Sequence, residues 1–191
     1  GEIDPVGNWY DPWTGSQVPV DGPSHHGTHV MGTILGQEPD GSNKIGVAPG
    51  AKWIAVRAFN NIGMTTNATL IDAGQWMLAP DGDPSLAPDV VNNSWSWTSG
   101  IDDWYRDIIR NYRAARIFPV YSAGNDDSGN PQPGSISNPA NYPEAFAVAA
   151  TDMNDQRADF SRLGPSEYDE KMIKPNISAP GVNIRSSVPG G

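Results

Sequence analysis

Short apolar runs typical of buried strands alternate along this chain with segments of helical spacing. Five runs have the strand pattern, at residues 53–58, 89–93, 117–121, 146–150 and 177–179. Between several of them, apolar residues recur three and four positions apart, which is the period of a helix with one buried face. Such an alternation favours a parallel sheet that is covered on both faces. We therefore predict an α/β fold with a mostly parallel central sheet.

Three helices are predicted, the first before the strand at 53–58 and the other two between strands. The first begins at His26 and ends near Gly36, whereas Thr66 is expected to cap the second helix and Asp102 the third. The stretch up to Ser24 is rich in proline and glycine turns and is predicted to be a loop. The residues expected on the buried faces are Leu70, Ala73, Gly74 and Met77 in the second helix and Tyr105, Ile108, Ile109 and Tyr112 in the third.

The charge balance excludes some classes of partner. The 191 residues include 12 basic and 22 acidic side chains, a net charge of −10. No basic stripe is available to displace counterions, so we expect neither a nucleic acid nor an anionic membrane as partner. The absence of cysteine excludes disulfides, zinc–thiolate sites and thiol nucleophiles. The surplus carboxylates are compatible with structural calcium, although no loop has EF-hand spacing.

Polar residues follow several predicted strands, where an α/β sheet carries its chemistry. The pair Asn93-Ser94 ends one strand and Asn125 follows another. His26, at the start of a helix, offers an imidazole that titrates near neutrality and can take a proton from a hydroxyl. The side-chain amide of Asn125 can donate a hydrogen bond to a developing oxyanion. Together they indicate acyl-transfer chemistry.

Each of these features has another interpretation. His25, His26 and His29 form a metal-site alternative, but they lack the spacing of the His-Glu-x-x-His motif. For His25 and His29 we favour a structural role. A Gly-Asn pair after a strand is also an ordinary turn signal. Trp95 and Trp97 are candidates for one wall of a substrate groove, although indoles in such loops also serve simply in packing.

Five segments in the same order resemble the motifs of the subtilisin-like serine proteases, or subtilases. Residues 26–32 read HGTHVMG, similar to the histidine motif of the family. Residues 92–95 resemble the segment that binds substrate as an added strand, and residues 122–125 resemble the oxyanion-hole motif. Residues 138–143 and 178–182 resemble the pocket segment and the turn before the nucleophile. Long matches at 45–56 and 175–190 suggest the bacillopeptidase F-like branch.

The resemblance implies a three-layer subtilisin-like fold and a serine endopeptidase that forms an acyl-enzyme. His26 would be the general base and Asn125 an oxyanion donor. Protein or peptide substrates, secretion from the cell and structural calcium are implied in the same way, with no cofactor needed for the chemistry. The residues expected to contact substrate are Ser94, Trp95, Ser96, Ser122, Ala123, Gly124 and Ser137. Ser96 stands where the family usually has glycine, and Ser137 falls near the pocket floor.

The family's other two catalytic residues have no counterpart in these motifs. The family order is Asp, His, Ser, and its spacing from Asn125 puts the serine about 66 residues further on, at or beyond Gly191. Asp4 and Asp21 lie in proline-rich loops rather than in a strand-Asp-Thr-Gly setting. We therefore interpret residues 1–191 as an internal fragment of one catalytic domain, truncated at both ends.

This interpretation carries its own expectations. The isolated fragment should be inactive, and neither of the two serines near its end, Ser186 and Ser187, should act as the nucleophile. Missing elements would expose core apolar surface, so we expect self-association. The alternative function is a noncatalytic subtilase-like module that holds peptides along residues 94–97.

Overall fold

The computed structural model describes residues 7–189 of the chain. Contacts divide the chain into two compact units. Unit 1 comprises Gly1–Pro88 together with Arg185–Gly191, and unit 2 comprises Asp89–Ile184. Within the described residues, no helix combines the length and the apolar character needed to cross a lipid bilayer.

Unit 1 contains two helices and a small parallel sheet. Helix α1 spans His26–Leu35 and α2 spans Asn67–Leu78. Strand β1, Trp9–Tyr10, pairs in parallel with β2, Ala55–Val56. Two single-turn 3-10 segments, Pro80–Gly82 and Pro84–Leu86, follow α2. The predicted extent of the first helix is therefore confirmed.

The two strands of unit 1 differ from the sequence prediction. The sequence predicts a loop up to Ser24 and a strand over residues 53–58, but the structure has two short paired strands. The ladder is short because the Asp11 carboxylate accepts hydrogen bonds from the backbone amides of Trp13 and Thr14, at 2.9 and 3.1 Å. That turn ends β1 after Tyr10, and among residues 7–189 the pairing of β2 stops at Val56.

Helix α2 begins as the sequence predicts. The Thr66 hydroxyl accepts a hydrogen bond from the Thr69 backbone amide at 3.1 Å, which satisfies one of the amides left free at a helix start. The buried residues of the helix are Leu70, Ala73, Gly74 and Trp76. Met77, predicted on this face, is only half-buried, because Trp76 takes the buried position and stacks on Tyr10 with ring centroids 5.8 Å apart.

Unit 2 is built on a four-stranded parallel sheet. Its strands are β3 Val90–Asn93, β4 Phe118–Ser122, β5 Phe146–Thr151 and β6 Ile177–Pro180, in the order β3-β4-β5-β6. Helix α3, Arg106–Ala114, connects β3 to β4. All three neighbouring pairs are parallel, so every strand ends at the same edge of the sheet. The predicted α/β class with a parallel sheet is confirmed.

Helix α3 begins three residues later than predicted. Asp102 was expected to cap it, but the residue before the helix is Tyr105, which makes no side-chain capping bond. The Asp102 carbonyl instead accepts a hydrogen bond from the Tyr142 hydroxyl, and its amide donates to the Tyr168 hydroxyl. These two tyrosines hold residue 102 in a turn, and the helix starts only after that turn.

The two faces of the unit 2 sheet differ in burial. On one face the side chains are buried beneath helix α3 and the adjoining loops; they include Val91, Pro119, Tyr121, Ala147 and Ala149 from the strands and Tyr105, Ile108, Ile109 and Tyr112 from the helix segment. The predicted buried residues of α3 are therefore confirmed. On the other face Val90, Phe118 and Ile177 are 54 %, 38 % and 51 % exposed. Apolar surface is thus left open on this side.

Lys174 is a buried cation in unit 2. The residue is 5 % exposed, and its Nζ donates hydrogen bonds to the Ala145 carbonyl at 2.6 Å and to the Asn176 side chain at 3.3 Å. Burial, together with repulsion from Arg113, lowers the pKa of Lys174 from 10.5 to about 8. The folded protein therefore releases this proton at a lower pH than the unfolded chain does.

We predict that Lys174 makes unit 2 more stable as the pH rises from about 8 to about 10. In this window the unfolded chain keeps the proton and the folded protein loses it, so the free energy of unfolding increases, by about 2 kcal/mol. Urea unfolding at pH 7.5 and 10, compared between wild type and Lys174→Met, measures this gain. The exposed Lys171→Met variant is the control and should follow wild type. Equal pH dependence in all three proteins would contradict the assignment.

Candidate functional site

The predicted base, His26, lies in the first turn of α1. His25 precedes the helix with a φ of +54°, and His26 itself is exposed. The first turn is held by Asp21, whose carboxylate accepts hydrogen bonds from the Thr28 amide and hydroxyl, both at 2.7 Å. Burial raises the pKa of Asp21, but these bonds and others from neighbouring amides outweigh it and lower the pKa. Asp21 therefore stays ionised near the positive end of the helix.

Two glycines of α1 closely approach neighbouring groups, and the approach is closer at Gly32 than at Gly27. A Cβ on Gly27 would lie 3.1 Å from an oxygen of Asp21, so this carboxylate and a side chain compete for one space. A Cβ on Gly32 would lie 2.5 Å from the hydroxyl oxygens of both Ser186 and Ser187. The histidine motif thus fits tightly against its surroundings in unit 1.

The serines near the end of the chain pack on α1. The Ser186 hydroxyl donates to the His29 carbonyl at 2.6 Å and accepts from the Thr33 hydroxyl at 3.1 Å. Its proton is therefore committed to a helix carbonyl one turn beyond His26. That Ser186 is not the nucleophile stays a prediction. Of the two aspartates discussed as lying in proline-rich loops before His26, Asp4 lies outside the described residues.

The predicted oxyanion segment follows β4. Gly124 has a φ of +94°, a conformation that favours glycine, and Asn125 after it is exposed. The Ser137 amide donates to the Ala123 carbonyl at 3.0 Å, and Ser137 is only 1 % exposed. The structure therefore brings Ala123, Gly124 and Ser137 together, while Ser122 is the last residue of β4 beside them.

Gly124 allows the pocket segment to approach this loop, and we predict a large effect of Gly124→Ala. A Cβ there would lie 2.2 Å from the Ser137 hydroxyl oxygen and 2.7 Å from its Cβ. Strain at the positive φ and this overlap should together lower the free energy of unfolding by about 2–4 kcal/mol. Gly129→Ala is the control, since its φ is +71° but its Cβ would meet nothing closer than 4.0 Å. Equal losses in chemical denaturation would show that the overlap is unimportant.

The segment after β3 presents an open backbone edge. Among residues 7–189, no backbone hydrogen bond involves the amides or carbonyls of Ser94, Trp95 or Ser96. Pairing resumes at Trp97, whose amide donates to the Asn138 carbonyl at 3.0 Å. Free amides and carbonyls are what a peptide needs to add as a strand.

Trp95 and Trp97 belong to an aromatic cluster. Their rings stack with centroids 5.5 Å apart. Trp95 also meets Tyr105 and Tyr121 edge to face at 5.2 and 5.8 Å, and Trp97 lies 4.7 Å from Trp104. Both indoles are half-buried, so much of their surface serves packing and only part can face a ligand.

A backbone strap that the sequence analysis did not identify holds the oxyanion segment. We define the strap as residues 160–164. The Arg162 amide donates to the Gly124 carbonyl at 3.0 Å, and its Nε donates to the Asn125 carbonyl at 2.9 Å. The Asp126 amide donates to the Phe160 carbonyl at 2.8 Å. Because the strap lies more than thirty residues along the chain from Asn125, no local pattern marks its role.

The metal-site alternative is not supported. Across residues 7–189, no three histidine, aspartate or glutamate side chains converge as metal ligands, and His25, His26 and His29 form no such group.

The predicted site residues are divided between the two units. His26 lies in unit 1, whereas the substrate-contact residues and Asn125 lie in unit 2.

Comparison with known proteins gives a consistent result. The model of the Subtilase family, peptidase S8, matches residues 4–190. Bacillopeptidase F of Bacillus subtilis (strain 168) is 62 % identical over 189 residues, which are 96 % of this chain but 13 % of that protein. Subtilisin NAT of Bacillus subtilis subsp. natto is 32 % identical over 91 % of this chain and 41 % of its own length. The chain therefore spans less than half of either relative.

A solved structure supports the fold. The prenylagaramide maturation protease PagA superposes with a TM-score of 0.70 at 24 % identity, over 98 % of this chain and 61 % of that protein. The predicted subtilisin-like fold and the resemblance stated from the motifs are both confirmed. The chain belongs to the subtilase family and is similar to bacillopeptidase F.

Proposed function

We propose that this chain is part of a serine endopeptidase in which His26 is the general base and Asn125 an oxyanion donor. The observation that carries the proposal is the edge of the unit 2 sheet. There an exposed Asn125, held by its neighbours' backbone, follows one strand, and the open backbone of residues 94–96 follows the adjacent strand. A peptide laid along that backbone would bring a carbonyl to the amide donor.

The proposed reaction is acyl transfer. A serine hydroxyl attacks the peptide carbonyl carbon while His26 accepts its proton, and the negative charge that forms on the oxygen is bound by the Asn125 amide. His26 then gives the proton to the departing amine, and water hydrolyses the acyl-enzyme by the same route. We assign the nucleophile and the orienting carboxylate to no residue of this chain, and we propose that the chain alone is inactive.

Substrate contacts are proposed for two walls. Ser94, Trp95 and Ser96 would form one side of the peptide groove, and Ser122, Ala123 and Gly124 the other, with Ser137 at the floor of the pocket. The hydrogen bonds from Trp97 to Asn138 and from Ser137 to Ala123 support this arrangement, because they tie the floor segment to both walls.

A fluorophosphonate probe tests the proposal. A longer form of the protein that includes the serine motif should be labelled, and prior alkylation of His26 should prevent labelling. The 191-residue chain should not be labelled at Ser186 or Ser187. An unlabelled longer form, under conditions that label a subtilisin, would count against a protease; labelling of the short chain would overturn its proposed inactivity.

The second candidate is a noncatalytic peptide-binding module. The open backbone of residues 94–96 favours it, because strand addition requires no nucleophile. A longer form that binds an extended peptide and leaves it intact for days, measured by mass spectrometry, would support the module over the protease.

The remaining functional assignments are also proposals. We propose protein or peptide substrates rather than nucleic acid or membrane, secretion from the cell, and self-association of the chain, which the exposed Val90, Phe118 and Ile177 support. If the molar mass measured by light scattering stays that of the monomer at all protein concentrations, self-association is contradicted. Calcium remains a family-based proposal. The described residues contain no carboxylate cluster to hold it.

A further inference from the structure

Asn125 is exposed, yet both peptide groups beside it are anchored. The carbonyl of Gly124, in the peptide group before Asn125, accepts from the Arg162 amide at 3.0 Å. In the peptide group after it, the Asn125 carbonyl accepts from the Arg162 Nε at 2.9 Å, and the Asp126 amide donates to the Phe160 carbonyl at 2.8 Å. The direction of the Asn125 side chain depends on the dihedral angles between these two groups.

Arg162 supplies two of these three bonds, one from its backbone and one from its side chain. The guanidinium also donates through Nη1 to the Ser135 carbonyl at 3.3 Å, in the segment that leads to Ser137. A single planar side chain therefore joins the Asn125 loop to the segment that carries the proposed pocket floor. Because the fork of donors is rigid, it fixes the two carbonyls relative to each other.

We propose that Arg162 is a positioning residue that holds Asn125 in the orientation needed to bind the oxyanion. This inference rests on the proposed function, since it gives Arg162 a role only through Asn125. Arg162 itself takes no part in bond making or proton transfer. An oxyanion donor acts best when its orientation is set before the reaction, so loosening this loop should lower kcat more than it raises KM.

The test compares Arg162→Met with wild type. Methionine keeps an unbranched stem beside Gly124 but removes both guanidinium bonds, and the backbone bond from residue 162 remains, so the fold should persist. In the 191-residue chain, hydrogen exchange of the Asp126 amide should become about tenfold faster, as expected for loss of a charge-assisted bond. The exposed Arg116→Met variant is the control and should leave this exchange unchanged. Unchanged exchange in Arg162→Met would overturn the proposal.

The second readout uses a longer, catalytically active form. Arg162→Met should lower kcat about tenfold with KM within about twofold, and Arg162→Lys, which offers one point donor, should fall between. In an Asn125→Ala background, Arg162→Met should have no further effect on kcat, because the proposed effect of Arg162 on the chemical step passes through Asn125. An equal loss in both backgrounds would overturn the proposal. If Asn125→Ala has no effect on kcat, the assignment of Asn125 fails, and the catalytic role of Arg162 fails with it.

Discussion

His26→Asn in an active, longer form of the protein is expected to lower kcat about 10⁶-fold, the size of loss measured when the catalytic histidine is removed from a subtilisin. Asparagine cannot accept the serine proton, so the hydroxyl remains a weak nucleophile. Steady-state hydrolysis of a chromogenic peptide measures the loss. KM should change little, because His26 acts in proton transfer and not in holding the peptide.

The neighbouring histidine provides the matched control. His25→Asn makes the same change one residue earlier, at an exposed position whose φ of +54° asparagine tolerates well. Its kcat should stay within a few-fold of wild type. Equal losses in His25→Asn and His26→Asn would indicate that the substitutions damage the start of α1, and the assignment of His26 as the base would lose its support.

Asn125→Ala is expected to lower kcat by about 10²- to 10³-fold, as removal of the corresponding donor does in a subtilisin. The amide would bind the oxygen only when negative charge develops on it, so KM should remain within about twofold. The experiment separates kcat from KM with a peptide substrate. Labelling by a fluorophosphonate should slow in parallel.

Asn130→Ala is the control for that change. Asn130 is also exposed and follows the same strand, but it lies five residues beyond the proposed donor. Its kcat should be unchanged. A loss confined to KM in Asn125→Ala would mean that the residue binds substrate in the ground state and is not an oxyanion donor.

Local signals in the sequence were enough to predict the helices and most strands. Helix α1 and the Thr66 cap of α2 depend on contacts within a few residues, and the sequence predicts both. The predicted start of α3 and the predicted loop over β1 were wrong. The start of α3 depends on groups distant in the sequence, and the end of β1 depends on the Asp11 side chain, which turns the backbone. Tyr142 and Tyr168 hold Asp102 from 40 and 66 residues away.

The same distinction applies to the candidate site. His26 and Asn125 lie in contiguous motifs that can be recognised from their neighbours in the chain. Arg162 lies 37 residues after Asn125, and only the folded loop shows that its guanidinium reaches the Asn125 carbonyl. Asp21 carried a weak signal, an acidic residue shortly before a helix, but the prolines around it favoured a simple loop interpretation.

The stacked indoles of Trp95 and Trp97, with planes 18° apart, give unit 2 a built-in optical reporter. Two chromophores at this separation couple in the excited state, and the intense far-ultraviolet transition of the indoles then gives a paired band in circular dichroism. Because these indoles flank Ser96, a bound peptide would alter that band without any attached dye. Occupancy of the groove is then measurable in chains that cleave nothing.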